Sequence, residues 1–527
     1  MKKNVYTFTK TMLLLLLAGT MLLSGCGQKA SNVTDDDFQF AGYPIESDAT
    51  LTYFMATNTN LTSFAENFGD TEIAKQLEEK TGVKIEYVHP AAGQEKQTLA
   101  LYAASNELPD LVEYNWYGYT GGPAQAIKEN LIIPLNDMLE SGELPNLKAY
   151  LEAHPEVDKA IQTDDGQYYA FPFVRGAEKL LVSTGPIIRK DWLDELGLSL
   201  PQTLEDMENI LTQFKEKKGA TAPLSTGYLK QTLAMAGGYL DFYVENGTNV
   251  RYGVLDDSYK KAVETLRDWY EKGLLDNDFV SIDSQTLDSN MLNGKTGVTY
   301  AAGGSGLGKW LESMAATDPS YDLAGFSLPY ASIIGNIDSP YFGSGSVAIS
   351  ANCKNPKLAA RFLDYGYSEE GRMLYNFGTE GVSYSMVDGE PRYTDEINKN
   401  PDGLTMAQAM LKYFRASNVG PFVQSEKYIE QYYAKPQQQA ALDAWLARYE
   451  IEGPMMFPKA TMSADENSEY SSIMTEVDAM VKEKTTQFII GTLSMDEYDN
   501  FISDIKKLNV ERAIALKQAA LDRYNKR

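Results

Sequence analysis

Residues 49–88 read ATLTYFMATNTNLTSFAENFGDTEIAKQLEEKTGVKIEYV, and this stretch decides the fold. Its first part, Ala49 to Ala56, alternates and is rich in β-formers, which predicts a strand. Asn58 to Asn60 is a polar loop at that strand's C-terminal end. From Thr71 to Thr81 the apolar residues Ile73, Ala74 and Leu77 fall at helical spacing, and Gly82 supplies a stop. Val83 to Val88 alternates again as a second strand. Beyond it, Gln97 to Ser105 is helical and Leu111 to Tyr114 starts a third strand. Strand, helix, strand in succession implies an open, mainly parallel sheet with helices on both faces. In such α/β sheets ligands sit past the C-terminal ends of the strands.

Outward from this stretch the pattern continues. Gly166 to Val174 (GQYYAFPFV) is an aromatic segment, and Gly185 to Gly197 (GPIIRKDWLDELG) reads as strand then helix. Thr203 begins another helix, with Asp206 three residues on and Met207, Ile210, Leu211 and Phe214 on one face. Lys260 to Lys272 is an amphipathic helix. Gly297 to Ala302 is a strand running into Gly303-Gly304-Ser305-Gly306. Ser344 to Ile349 is a strand, Pro356 to Tyr365 a helix, and the last seventy residues are mostly helical. With 527 residues the chain has room for three to four folding units or two large lobes. No repeat of 20–50 residues is visible.

Composition excludes several classes. Hydrophobic residues are 43% and charged residues 23%, the balance of a globular chain. A formal charge of −26 argues against a nucleic-acid partner. His89 and His154 are the only histidines, and Cys26 and Cys353 the only cysteines, so a disulfide framework and a Cys/His zinc site are excluded. The N-terminus sets the compartment. Lys2, Lys3 and Lys10 precede an apolar run from Met12 to Leu23 that is too short to span a ~30 Å hydrocarbon core. This reads as a secretory signal. It ends in Leu23-Ser24-Gly25-Cys26, which resembles the bacterial lipobox; that implies cleavage before Cys26 and diacylation of its thiol. Loss of three lysines with the signal would take the charge from −26 to −29. Residues 26–44, with the acidic run Asp35-Asp36-Asp37, read as a flexible tether.

Three further blocks carry a resemblance. They are IRKDWLDELG at 188–197, VAISANCKNPKLAARFLDYGYSEEGRMLYNFGTEGVSY at 347–384, and the helical C-terminus. With the lipobox, they resemble the family 1 extracellular solute-binding proteins, and within that family the long LipO-like lipoproteins of Gram-positive ABC importers. The resemblance covers residues 45–527. It implies two α/β lobes of the periplasmic-binding-protein kind with a ligand cleft between them. The lobes would be discontinuous: 45–171 and 336–382 in the N-lobe, 172–335 and 383–527 in the C-lobe, with Pro172 and residues 381–384 near the hinge. It implies a lipid-anchored monomer on the outer face of the cell membrane that captures an oligosaccharide, closes on it, and hands it to a permease. A non-sugar ligand such as a peptide, and a glycan-degrading enzyme, are the alternatives. Some members of this family carry a calcium loop after the helix corresponding to 203–214. Here that stretch reads Lys215-Glu216-Lys217-Lys218-Gly219-Ala220-Thr221, which cannot supply the oxygens calcium needs, so neither a metal nor a cofactor is expected.

The catalytic inventory is thin. Ser344-Gly345-Ser346 is not a nucleophile elbow, and Gly303 to Lys309 lacks phosphate-loop spacing. The glycines there predict a tight turn whose backbone approaches a ligand. Aromatic residues are 11%, with 34 Tyr to 20 Phe. Rings stack on the C–H faces of sugars, and planar polar groups bind their hydroxyls. On these grounds the expected ligand-binding residues are Asn58 and Asn60 after the first strand, and Glu113, Asn115 and Trp116 after the third. Gly304, Ser305 and Trp310 in the glycine loop, Glu380 and Tyr384 near the hinge, and Arg175 after the aromatic segment complete the set. Trp192 and Trp269 are expected in the core, and Trp445 in either place.

Overall fold

The computed structural model describes residues 40–329 and 341–527. Cys26, the signal segment and most of the tether lie outside the described residues. The strands are β1 (Thr50–Phe54), β2 (Lys84–Val88), β3 (Leu111–Tyr114), β4 (Phe171–Arg175), β5 (Thr184–Arg189), β6 (Phe242–Glu245), β7 (Asn249–Tyr252), β8 (Val298–Ala302), β9 (Leu323–Gly325), β10 (Tyr341–Ile349), β11 (Tyr384–Val387), β12 (Glu390–Tyr393) and β13 (Val423–Gln424). Six of them form one sheet in the order β13-β4-β10-β3-β1-β2, and three form a second in the order β8-β5-β9. β6-β7 and β11-β12 are separate hairpins.

The large sheet is parallel where βαβ units built it. β1 pairs parallel with β2 and β3, while β10 is antiparallel to β3 and β4. The small sheet departs from the parallel expectation, because β5 is antiparallel to both neighbours. β8 and β9 are a βαβ pair joined through the helix Lys309–Met314, with β5 inserted between them in the opposite sense. Alternation along a strand fixes which face is buried but carries no information on strand direction.

Local signals in the sequence explain the helix ends. Thr71 Oγ1 accepts from the amide of Ala74 and opens the helix Glu72–Thr81. Gly82 closes it at φ +74°. A Cβ there would lie 2.1 Å from the carbonyl oxygen of Ile45, so backbone crowding as well as φ requires glycine. The helix Leu204–Lys218 has a reciprocal capping box between Thr203 and Asp206 and a left-handed Gly219. Lys215, Lys217 and Lys218 complement its C-terminal dipole.

Two main cores follow. Under the large sheet lie Leu51, Tyr53, Leu77, Leu111, Phe171, Val347 and Phe362. The second lobe is built around Ile188, Trp192, Phe214, Trp269 and Phe488. Trp445 also belongs to the interior: its Nε1 donates to the Pro186 carbonyl, and its ring takes the space that a Cβ at Gly185 would fill. The tether is shorter than expected at its C-terminal end. Phe40 lies under the Arg361 guanidinium at 4.1 Å, and the Tyr43 hydroxyl donates to the Arg361 carbonyl at 2.6 Å. Two aromatic rings so close to the fold gain more by packing than by solvation.

The C-terminal helix Val510–Lys526 packs with the second core through Val510, Ala513 and Leu521. It also reaches Asp164 through Arg523 and Arg527, and Leu516, Ala520 and Tyr524 cluster with Ala160. This brings the helical tail against the segment that leads into β4.

Candidate ligand-binding site

The C-terminal ends of β1 and β3 meet the 414–420 loop around a cavity of about 160 Å³. β1 delivers Met55 to Leu61. Asn58 Oδ1 accepts from the amide of Asn60 at 2.8 Å, an Asx turn that starts the short turn Leu61–Ser63. His89 steadies the same loop: its Nδ1 bonds the Met55 carbonyl at 3.1 Å, and its Nε2 accepts from the amide of Phe68 at 3.0 Å.

β3 contributes Glu113. Its carboxylate accepts from the Tyr53 hydroxyl at 2.7 Å, and Arg415 Nη2 donates to both carboxylate oxygens at 2.9 and 3.1 Å. All three residues are buried. Burial, then the adjacent Glu113 charge, pushes the Tyr53 hydroxyl well above the ordinary tyrosine range. Burial opposes the charge on Arg415, but Glu113, Tyr53 and Tyr375 together outweigh it and hold the guanidinium above its usual value. Arg415 also lies over the Phe68 ring at 5.2 Å. The Asn58 amide donates to Asn418 Oδ1, joining the β1 loop to the 414–420 loop. Leu61, Phe68, Leu411 and Val419 supply the apolar wall.

From this cavity a line of contacts runs toward the second lobe. Gln424 Nε2 donates to the Ala416 carbonyl, and Arg175 Nη1 donates to Gln424 Oε1 at 3.2 Å. Arg175 acts electrostatically on Tyr428 and Tyr433. Tyr428 and Tyr432 stack at 5.7 Å and 18°. Tyr432 and Tyr433 press on the glycine loop: a Cβ at Gly304 would meet the Tyr432 ring at 2.7 Å, and one at Gly303 the Tyr433 ring at 2.5 Å. Here the close approach that glycine permits is made by the protein's own rings.

The expected residues therefore divide. Asn58 and Glu113 line the cavity, and Asn60 braces its loop. Arg175, Gly304 and the exposed Ser305 lie along or beside the line to the second lobe. Trp116 does not present a face to a ligand. It is fully buried between Phe54, Val112 and Ile132, with Nε1 donating to the Val112 carbonyl at 3.1 Å. Trp310 is likewise in the core, its Nε1 held by Asp288 at 2.7 Å. Asn115 is exposed and caps the turn Trp116–Gly118 through its side chain. Glu380 bridges Tyr384, the first residue of β11, and neither lines the cavity; Tyr384 packs near Phe377 at 5.9 Å. Sequence reading missed Arg415, Asn418 and Tyr432. The available signals were an arginine between apolar Phe414 and Ala416, and the closely spaced rings of YIEQYY at 428–433. Among the described residues no group of three or more His, Cys, Asp or Glu could hold a metal ion.

A fructooligosaccharide ABC transporter substrate-binding protein, FusA, from Streptococcus pneumoniae serotype 4 is 24% identical, covering 98% of both chains. Lipoprotein LipO of Bacillus subtilis is 25% identical over 82% of this chain and 85% of its own. The crystal structure of the alginate-binding protein AlgQ2 without calcium superposes with a TM-score of 0.74 at 24% identity, covering 92% of this chain and 100% of that one. Residues 60–373 match the bacterial extracellular solute-binding protein family, and the chain belongs to that family.

Proposed function

We propose that this protein captures an oligosaccharide where the large sheet meets the 414–420 loop and delivers it to the permease of an ABC importer. The observation that carries the reading is the buried Tyr53–Glu113–Arg415 group beside Asn58 and Asn418, facing a cavity with an apolar wall. Planar amide, carboxylate and guanidinium groups suit sugar hydroxyls, and the apolar side suits C–H faces. The FusA relative, whose name states a fructooligosaccharide, supports the ligand class. On this reading the chain performs no chemistry on its ligand. The Glu113 carboxylate is engaged by two donors and is not poised as a base. Cys26 anchors the mature chain to the outer face of the membrane, and the chain works as a monomer. Residues 45–171 and 336–382 belong to one lobe, whose sheet also takes in β4 and β13, and the remaining segments to the other, with β4 near the hinge. Hinge closure on the ligand would signal the loaded state to the permease.

The test is a thermal-shift screen across oligosaccharides and peptides, since a ligand that binds only the folded state raises its melting temperature. A shift with glycans and none with peptides is the expected result. A shift confined to peptides would replace the ligand class.

A further inference from the structure

The proposed sugar-binding reading leaves open which chemistry of sugar the cavity accepts, and the inference drawn here rests on that reading. Arg415 and Glu113 form an ion pair on the cavity wall. They are bonded to each other through both carboxylate oxygens, so the wall is locally neutral. The Arg415 side chain is only 3% exposed and its Nε is buried with no hydrogen-bond partner, so that donor does not open on the cavity. A cavity of about 160 Å³ holds roughly five waters at ~30 Å³ each, well under the ~300–1,000 Å³ of a whole ligand pocket. It therefore has room for one unit of a chain rather than a whole ligand. A carboxylate in that space would face Glu113 with no uncommitted cation to offset its desolvation. The surrounding field adds to this, with a formal charge of −26 over the chain.

We infer that the cavity at Arg415 and Glu113 receives a single uncharged sugar unit, so that this protein selects neutral oligosaccharides over uronate-bearing ones. The unit offers ring and hydroxyl oxygens to the guanidinium and to the Asn58 amide, and its C–H face to Leu61 and Leu411.

The experiment is calorimetric titration of the full chain with neutral tetrasaccharides and with tetragalacturonate of the same length. Neutral ligand should bind at least about tenfold more tightly. Glu113→Gln unmasks the Arg415 charge and should narrow or reverse that preference. Asn58→Ala should weaken the neutral ligand by about five- to thirtyfold and lower the melting temperature by a few degrees at most, since it removes the Asx turn and the link to Asn418 but no core contact, which keeps the test open if Glu113→Gln does not fold. Equal or tighter binding of the uronate by the unaltered chain would overturn the neutral selectivity and leave the oligosaccharide reading standing. Neutral binding that survives Asn58→Ala unchanged would move the sugar out of this cavity. Failure of every glycan while a peptide binds would remove both readings together.

Discussion

Replacing Trp116 with alanine separates a core ring from a ligand platform. The ring is wholly buried with Phe54, Leu99, Val112 and Ile132, and Tyr114 meets it edge-on at 5.7 Å. Removing it leaves a large cavity and an indole-sized loss of apolar burial, which costs about 3–5 kcal/mol. The Val112 carbonyl also loses the indole donor, a term of about 1 kcal/mol. For a folding unit of 150–250 residues each kcal/mol moves the melting temperature by about 2–4 °C, so with about 4–6 kcal/mol lost in all the unit containing the large sheet should melt roughly 8–24 °C lower. Trp116→Phe keeps most of the ring and should lose about 1–2 kcal/mol. The assay is scanning calorimetry without ligand, followed by glycan titration well below the new melting point. Glycan affinity of the folded variant should stay within about threefold of the unaltered chain. An unchanged melting temperature with affinity weakened about thirtyfold would refute the core assignment and put the ring in the site.

Four other outcomes follow from the same physical reasoning. Gly82→Ala should destabilise by at least about 2 kcal/mol, because it combines a left-handed backbone with a Cβ against the Ile45 carbonyl; a variant melting with the parent would show that the Ile45 segment moves freely. Burial pushes the Lys517 amine down to about 8, with Lys459 adding to the effect and Asp241 opposing it; the amine lies over the Phe457, Tyr470 and Phe242 rings. The unfolded chain holds that proton up to its ordinary 10.5, so stability should rise between about pH 8 and 10.5, and Lys517→Met should flatten the rise; a fall in melting temperature over that window in the parent but not in the variant would contradict the sign. Cys26→Ala should release the chain from the membrane fraction or leave an uncleaved precursor, and an unchanged membrane fraction would defeat the anchor. Chelation with EDTA should leave melting and glycan affinity unaltered; a loss restored by Ca²⁺ would expose a metal site.

The fold was legible where local chemistry was strong. The 49–88 stretch gave β1, the helix Glu72–Thr81 and β2 nearly to the residue, because alternation, helical spacing, a Thr cap and a left-handed glycine all agree there. The antiparallel insertion of β5 was not legible, since its partners lie more than a hundred residues away in β8 and beyond. The site was legible in part for a related reason. β3 turns Leu111 and Glu113 to one face and Val112 to the other, and Trp116 follows Val112 into the core while Glu113 meets Tyr53. Knowing the strand end was right did not tell which face its side chains would take. Arg415 comes from the other end of the chain, 302 residues from Glu113, and nothing local to Phe414-Arg415-Ala416 announces the partner.

The measurement that bears most directly on the central claim is a calorimetric titration with the tightest glycan of the screen, followed by mass analysis of the recovered sugar. One site per chain and the glycan returned at its full length are the expected results. Heat from peptides alone, or a glycan shortened in proportion to protein concentration, would contradict that claim.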